Sequence, residues 1–388
     1  MKALIHKYIE KKLHQRSTWI ALIVVGVLAK FALFPVKTGD YVCFLEPWLN
    51  FIKSHGYCAS LKFGFYDYAP SYIYILIVIA KLGLNPLFSV KIVSIIFEYL
   101  AAFFIGKILV HRFKNPIFIW LSLAVIPILP SILFNSGYLS QCDSIYSTFV
   151  IASIYYALKE KQFLSIVFFG IAFAFKMQAV MLLPFYFVMM LRGNIRWYYF
   201  LLVPLIFILS ILPTWLYGRS FSDLLSVYMA QTNRYPFLTM NFPNFYIWIS
   251  DVYYSSMKLA GILLTILATL VTGLLLSRHK YKFSFEIWIR FAFLSAIVIP
   301  FLLPGMHERY MYLGDILGVL YFLVLRKNSY FPIGILLVSF YSYIRCSRFN
   351  DILPMWPAFI IYFSVILFAI NDFIIALKNE SNDAIIQK

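Results

Sequence analysis

Long apolar runs alternate with short polar and basic segments along the whole chain. Runs of about 20 residues are long enough to cross the roughly 30 Å hydrocarbon core of a bilayer as helices. The pattern therefore predicts an all-α polytopic membrane protein, with one integral membrane domain over residues 1–388. The twelve predicted spans lie at about 17–36, 86–109, 116–134, 143–158, 162–176, 179–191, 197–213, 258–276, 286–303, 310–325, 329–344 and 354–376.

Composition supports the membrane prediction, because 62% of the residues are hydrophobic and only 13% are charged. An ordinary soluble domain is about half apolar and about a quarter charged. The net charge of +17 would also suit a nucleic-acid binder. The lysines and arginines collect at helix ends, however, as the excess of cations in cytoplasmic loops predicts. We therefore expect membrane lipids as partners and no nucleic acid.

The basic loops also predict how the chain is oriented. The stretch 69–82 has fourteen residues, which favours a re-entrant or interfacial helix over a span. With the N-terminus inside and 69–82 not spanning, five basic loops fall on the cytoplasmic side, as loop-charge bias favours. Counting 69–82 as a span moves those loops outside. The basic segment 1–16 has no small-residue cleavage site after its apolar stretch, so we expect a retained cytoplasmic tail, with the C-terminus also cytoplasmic.

Several polar segments then meet at the outer face. They are the loops 37–68 and 214–257, the segment 135–142, the turn near Lys176 and the block 304–309. The two large loops are rich in Tyr, Trp and Pro and are partly amphipathic, which indicates interfacial helices.

Asp40 and Glu46 are the acidic residues of the first part of the first outer loop. Asp40 has two interpretations, as a helix cap that accepts backbone N–H groups or as a general base that takes a proton from a hydroxyl. Glu46 suits a solvated surface group.

Two further apolar stretches carry polar interruptions. Asp143, with Gln141 just before it, stands where a span begins and could be a helix cap. Lys176 interrupts about thirty apolar residues, with Gln178 beside it. A lysine there is costly unless it snorkels to the surface or meets an anion. An anionic ligand is the preferred interpretation.

Cations and amides recur in the remaining outer segments. Arg234, Asn241 and Asn244 lie in a segment of prolines and aromatic residues, a composition that suits carbohydrate contact or an interfacial belt. His307, Glu308 and Arg309 form a block at the end of a long apolar helix. Arginine donates two parallel hydrogen bonds to phosphate. Cations around an aromatic-walled cavity therefore suit an anionic headgroup on an apolar tail, such as a lipid-linked phosphate.

Other polar residues favour structural roles. Glu98 shares a helix face with Lys91, which suggests a hydrogen bond between helices. Cys43 and Cys58 share one loop and could pair in an oxidising compartment. The sequence contains no P-loop, dinucleotide-binding GxGxxG or HExxH motif, and His307 has no second histidine at ligand spacing. We therefore expect no zinc site and no cofactor, with Mg²⁺ or Mn²⁺ possible but not required.

Four motifs resemble those of the multi-spanning GT-C glycosyltransferases, in particular bacterial proteins related to the second mannosyltransferase of GPI-anchor assembly. TGDYVCFLEPW resembles the family's first-loop pattern. QCDSIY and FAFKMQA resemble its GQxDSI and FKxQA pair. YPFLTMNFPNFY resembles YPxLTxNxPNxY, and MHERYMYLGD resembles MHERYxxxxD. The matches run in order from residue 38 to 315. The chain departs from the family at Leu139-Ser140 and at Ala69-Pro70.

The resemblance implies the GT-C fold and transfer of a sugar from a polyprenyl-phosphate donor to a glycan or glycolipid acceptor, usually with inversion. By position, Asp40 is the catalytic base. His307 and Arg309 are then expected to bind the donor phosphate with help from Lys176, and Arg234 is expected to join them as a cation of the same outer face. Sugar or acceptor contacts come from Gln141, Asp143, Gln178, Asn241, Asn244 and Glu308.

Two other functions remain open from the sequence. A polysaccharide polymerase or ligase typically uses arginines in a large outer loop, and a lipid-linked sugar flippase predicts inverted repeats and broken helices near the midplane. Short loops and the Lys-, Ile-, Asn- and Phe-rich usage favour a bacterial inner membrane, with the site facing outward. Assembly or decoration of a surface polysaccharide, such as O-antigen, capsule or wall glycan, is the predicted setting.

Overall fold

The structure, a computed structural model, describes residues 16–348 and 352–386. It is 79% helical with almost no strand, so the all-α prediction is confirmed. The described residues form seventeen α-helices: α1 (Arg16–Ala32), α2 (Glu46–Ser54), α3 (Pro70–Leu82), α4 (Pro86–Phe113), α5 (Ile117–Val125), α6 (Pro130–Ile132), α7 (Asp143–Leu158), α8 (Gln162–Phe175), α9 (Leu183–Leu191), α10 (Leu202–Leu216), α11 (Phe221–Leu225), α12 (Val227–Arg234), α13 (Tyr254–Ser277), α14 (Phe285–Leu302), α15 (Tyr312–Leu325), α16 (Tyr330–Arg348) and α17 (Trp356–Ile386).

Helix length and composition identify a membrane-embedded protein. Among the described residues, five helical stretches are long and apolar enough to cross a bilayer, and a pair bent by 59° at Leu129 makes six if it counts as one span. Each of the twelve predicted spans is helical over most of its length. A total of twelve crossings stays a prediction. The predicted tail, 1–16, lies outside the described residues except for its last residue.

Two short helices account for the short apolar stretch 69–82 and for the lysine that interrupts the apolar run at position 176. Helix α3 has 13 residues. At a rise of 1.5 Å per residue it is about 20 Å long, which is shorter than the hydrocarbon core. Helix α8 ends at Phe175, and Lys176 has an extended backbone before a 3₁₀ helix begins at Met177. The predicted junction of two short helices at Lys176 is therefore confirmed.

The core lies between α4, α7, α8, α14 and α15, whose inward side chains are almost fully buried. Close helix packing depends on Gly106, because a Cβ atom there would lie 2.7 Å from the Cα of Ile119. Helix α13 differs, because only a few of its side chains are buried. Its apolar side chains that are half exposed or more are Leu259, Leu263, Leu264, Ile266, Leu267, Leu274 and Leu275. Helix α13 therefore stands at the edge of the bundle.

The two loops predicted to face outward, 37–68 and 214–257, contain short helices, and they are called the first and second outer loops below. The first has a π-helical turn (Tyr41–Leu45), then α2 and a 3₁₀ helix (Tyr57–Lys62). The second has α11, α12 and two 3₁₀ turns. It also contains strand β1 (Thr239–Met240), which pairs in parallel with β2 (Met306–His307). This pairing joins the second outer loop to the block that follows α14.

A buried ion pair connects α1 with α4. The amino group of Lys30 lies 2.6 Å from Glu98 Oε2, and both side chains are fully buried. Lys91 instead donates to the carbonyl oxygens of Leu33, Phe34 and Val36. Contacts between helices were correctly predicted for Glu98. Its partner is a lysine of another helix and not the neighbour on its own face.

We expect Glu98→Ala to destabilise the protein by about 3–5 kcal/mol, because it leaves the charge of Lys30 buried without its partner. The double variant Lys30→Met/Glu98→Leu should recover most of that loss, because neither charge remains to be desolvated. Thermal unfolding of the purified protein in detergent measures both. Equal losses in the single and double variants would contradict the pairing.

Candidate active site

A polar cavity of about 270 Å³ lies where the outer segments meet. Its walls come from the first and second outer loops, the segment 140–142, the junction at Lys176 and the block after α14. Nine of the eleven predicted site residues line it: Asp40, Gln141, Lys176, Gln178, Arg234, Asn241, His307, Glu308 and Arg309. Residues up to 269 positions apart in sequence are thus brought to one place.

Asp40 precedes the π-helical turn and points into the cavity with its side chain 37% exposed. Gln141 Nε2 donates to Asp40 Oδ2, and Arg309 Nη1 lies 3.6 Å from the same oxygen. The side chain makes no cap hydrogen bond to the helix that follows. The capping interpretation is therefore wrong, and Asp40 belongs to the cavity.

Asp143 is the first residue of α7 and is fully buried behind the cavity wall. It does not cap the helix. Its Oδ2 accepts a hydrogen bond of 2.9 Å from Asn135 Nδ2, and its Oδ1 forms an ion pair with Lys176. Arg309 Nε lies 3.9 Å from Oδ2. Asp143 therefore holds two cations in place from outside the cavity lining.

Lys176 is buried, and its amino group lies near the ring faces of Tyr68 and Tyr146, at 5.5 and 6.0 Å from their centroids. Because the charge meets Asp143 inside the protein, the snorkelling interpretation is wrong. The anion that Lys176 meets is a side chain of the protein. The same lysine also lines the cavity, so contact with a ligand stays a prediction.

Backbone pairing with the second outer loop places the segment 304–311 at the cavity wall. Gly305 has φ +71°, a conformation that favours glycine, and its N–H donates to Leu238 O at 2.7 Å. Parallel pairing of β1 and β2 then directs His307 and its neighbours inward. Arg309 Nη1 donates to Glu308 Oε1 at 2.9 Å.

The charges of this block depend on one another. Burial alone would raise the pKa of Glu308, but Arg309 and His307 together hold that pKa at about 2. Burial, and then the charge of Arg309, lower the pKa of His307, while Glu308 and Asp40 oppose the shift. At neutral pH, Glu308 is therefore ionised and the imidazole is neutral.

Arg234 has a partner that the sequence did not suggest. Its Nη1 lies 2.7 Å from Asp67 Oδ1, and Gln231 of the same helix donates to the backbone oxygen of Asp67. Burial raises the pKa of Asp67, and Arg234 partly offsets this. The two contacts fasten α12 of the second outer loop to the end of the first.

Asn241 and Asn244 separate in the structure. Asn241 lines the cavity in a left-handed conformation (φ +57°), and its Oδ1 accepts a hydrogen bond from Arg345. Asn244 is fully buried away from the lining, where it donates to Leu303 O at 2.9 Å and accepts from Tyr246 N at 3.2 Å. The structure does not bring Asn244 to the cavity, and its contacts are those of a loop-fixing residue.

An apolar groove opens from the polar cavity. It measures about 260 Å³ and runs between α13 and the 3₁₀ helix at 177–182. A further apolar pocket of about 380 Å³ continues it along α13 and shares Val180, Ile262 and Leu303 with it. The polar cavity and the groove share six lining residues, here called the neck: Gln178, Gln231, Tyr235, Met240, His307 and Tyr310.

Sequence reasoning missed several of these residues. Asp67, Tyr68, Tyr235 and Tyr310 line the cavity but were not among the predicted site residues. A carboxylate between two tyrosines (Tyr66-Asp67-Tyr68) was the signal for the first two. Asn135, which fixes Asp143, had no signal beyond its place in a polar segment.

Metal-ligating groups and cysteines add little to the site. Over 16–348 and 352–386, no group of three His, Cys, Asp or Glu side chains is arranged to hold a metal ion. The four cysteines are free, so Cys43 and Cys58 are not joined. Cys346 lines the cavity.

No protein-family model matches the chain, and no curated protein matches it. The GT-C resemblance of the four motifs therefore stays a prediction.

The β1–β2 pairing predicts a cross-link. Thr239 and Met306 are Cα partners in a parallel pair. Neighbouring strands lie about 4.8 Å apart, within the range of a disulfide. We expect Thr239→Cys/Met306→Cys, with Cys43, Cys58 and Cys346 replaced by Ser, to form a disulfide on mild oxidation, detected by mass spectrometry of the linked peptides.

Met240→Cys/Met306→Cys in the same background is the matched control, because adjacent strand positions point to opposite faces. Equal yields in the two variants, or none in the first, would rule out the pairing of the two outer segments.

Proposed function

We propose that the protein is a membrane glycosyltransferase that transfers a sugar from a polyprenyl-phosphate donor to a glycan or glycolipid acceptor. The observation that carries the proposal is the continuity of a polar cavity containing Asp40 with an apolar groove along α13. A ligand that suits both has a polar head and a long apolar tail. A sugar on a polyprenyl phosphate has that form.

Asp40 suits the role of general base. Its two side-chain contacts, from Gln141 and Arg309, are both to Oδ2. Among the residues that the structure describes, none forms a hydrogen bond or ion pair with Oδ1, so this oxygen can accept a proton from the acceptor hydroxyl. A carboxylate held at one oxygen and open at the other is orientated for this step.

The reaction then needs only one carboxylate. The acceptor oxygen attacks the anomeric carbon and passes its proton to Asp40. The bond between that carbon and the phosphate oxygen breaks, and its electron pair leaves with polyprenyl phosphate. Attack opposite the leaving group inverts the anomeric centre. The cations Lys176 and Arg309, together with the imidazole of His307, would stabilise the charge that develops on phosphate.

The setting is part of the same proposal. The fold is GT-C, the chain crosses a bacterial inner membrane about twelve times, and the cavity faces the periplasm or exterior. Excess basic residues in the loops on the opposite side support this orientation. The acceptor then belongs to a surface polysaccharide such as O-antigen, capsule or wall glycan.

A panel of polyprenyl-phosphate sugars, incubated with the purified protein in nanodiscs and a mixture of membrane glycolipids, tests the proposal. We expect one donor to be consumed and its sugar to appear on an acceptor. Asp40→Asn should lower the rate by about 10²–10⁴ and leave donor affinity within twofold, because a general base acts on the chemical step. Mass spectrometry of the lipid products measures the rate.

Glu46→Gln is the control, because Glu46 is in the same loop but pairs with Lys37 at the surface. Wild-type turnover by Asp40→Asn would exclude Asp40 as the base, and consumption of no donor by the wild type would reject the glycosyltransferase.

The groove predicts that donor-chain length matters. Ile262→Trp fills the groove, so we expect the KM for a long-chain donor to rise about tenfold or more, while the KM for a short ten-carbon donor stays near wild type. Each methylene that loses its apolar contact costs about 0.8 kcal/mol, so displacing two or more is sufficient. Leu263→Trp is the control, since Leu263 is 56% exposed and is outside the groove lining. Equal KM changes for both donors would contradict the groove as the tail site.

A further inference from the structure

The neck joins the polar cavity to the apolar groove. In a donor of the proposed kind, the phosphate joins the polar head to the apolar tail, so it must lie at the neck when the sugar is in the cavity and the tail is in the groove. Three cations, Lys176, Arg234 and Arg309, line the cavity but not the groove. Lys258 lines the groove but not the cavity. Of the described basic side chains, His307 is the one that lines both.

The other cavity cations are already balanced by carboxylates. Lys176 pairs with Asp143, Arg234 with Asp67 and Arg309 with Glu308. Around Arg309, three carboxylates (Asp40, Asp143 and Glu308) face two cations (Lys176 and Arg309). An arriving phosphate therefore enters a group of side chains with one excess negative charge, and it lacks a counter-ion.

His307 can supply that counter-ion. Its imidazole makes edge contacts with two aromatic rings, whose centroids lie 6.1 Å (Tyr235) and 5.2 Å (Tyr310) from its own. Its nearest acid is Glu308, with Nδ1 and Oε2 at 3.7 Å, and Asp40 lines the same cavity. Burial and then Arg309 lower its pKa below the usual value of about 6.5. A phosphate anion at the neck acts in the opposite direction.

We propose that the neck binds the phosphodiester of the donor and that His307 takes up a proton as it does so, which couples donor binding to pH. The proposal rests on the function proposed above and adds the position of the phosphate and the source of its counter-charge.

The direction of the pH effect follows from linkage. A group that is neutral in the free protein and charged in the complex binds a proton on ligation at any pH between its two pKa values. In that window donor affinity falls as pH rises, by up to roughly tenfold per pH unit for one proton. Below the lower pKa and above the upper pKa, affinity becomes independent of pH.

The test uses a polyprenyl methyl phosphate. This phosphodiester has the charge of the donor but no sugar, and it does not titrate near neutral pH. Isothermal titration of the full-length protein in nanodiscs, in two buffers with different ionisation enthalpies, gives the number of protons bound per ligand. Between pH 6 and 8 we expect a positive number, no greater than one, and a Kd that rises with pH.

His307→Gln should bind more weakly, with no proton uptake and a flat pH profile. His307→Lys, which carries a permanent charge, should keep affinity without proton uptake. His55→Gln is the matched control, because His55 stacks on Phe51 in the first outer loop and lines neither cavity nor groove. It should behave as wild type.

Wild-type binding that is flat with pH, or proton uptake that persists in His307→Gln, overturns the proposal. If affinity is independent of pH and Lys258→Gln weakens it, the phosphate lies in the groove and the proposal is wrong. Absence of any binding by the wild type also overturns the proposal. The probe carries no sugar, so binding is measured apart from transfer. Proton-coupled binding without turnover of any donor would reject the glycosyltransferase and leave the neck site standing.

Discussion

One guanidinium group holds the outer segments of this protein together. Arg309 lies within 4 Å of carboxylate oxygens of Asp40, Asp143 and Glu308, which come from the first outer loop, the start of α7 and its own block. A buried charge is stable only when opposite charges surround it. Three segments that are distant in sequence therefore meet at one charged group in the cavity wall.

Backbone pairing gives the same site its shape. The two-residue strands β1 and β2 bring the second outer loop beside the block after α14, and the Asp67–Arg234 pair fastens that loop to the first. Each contact is small, but together they enclose a polar space that opens into an apolar groove. The site is thus built from short loop elements, which rest on a buried core formed by α4, α7, α8, α14 and α15.

The sequence predicted the helices and most of the charged residues of the cavity lining, because both leave local signals. Apolar runs show the helices, and ionisable residues such as Lys176 and His307 stand out in an apolar chain. The partners of these residues in ion pairs and hydrogen bonds leave no such local signal in the sequence. Lys30 rather than Lys91 meets Glu98, Asp67 meets Arg234, and Asn244 points away from the cavity, because these contacts depend on how helices and loops pack in space. The roles drawn from the family resemblance stay predictions.

Helix α13 has a consequence for handling the protein. It stands at the edge of the bundle with apolar side chains directed outward, and a groove and a pocket run along its inner side. Acyl chains of the bilayer solvate that outward face and support the helix laterally. Thorough delipidation in detergent removes this support at the very element that borders the groove. Retained annular lipid, or reconstitution into a bilayer, therefore preserves the native position of α13 in purified samples.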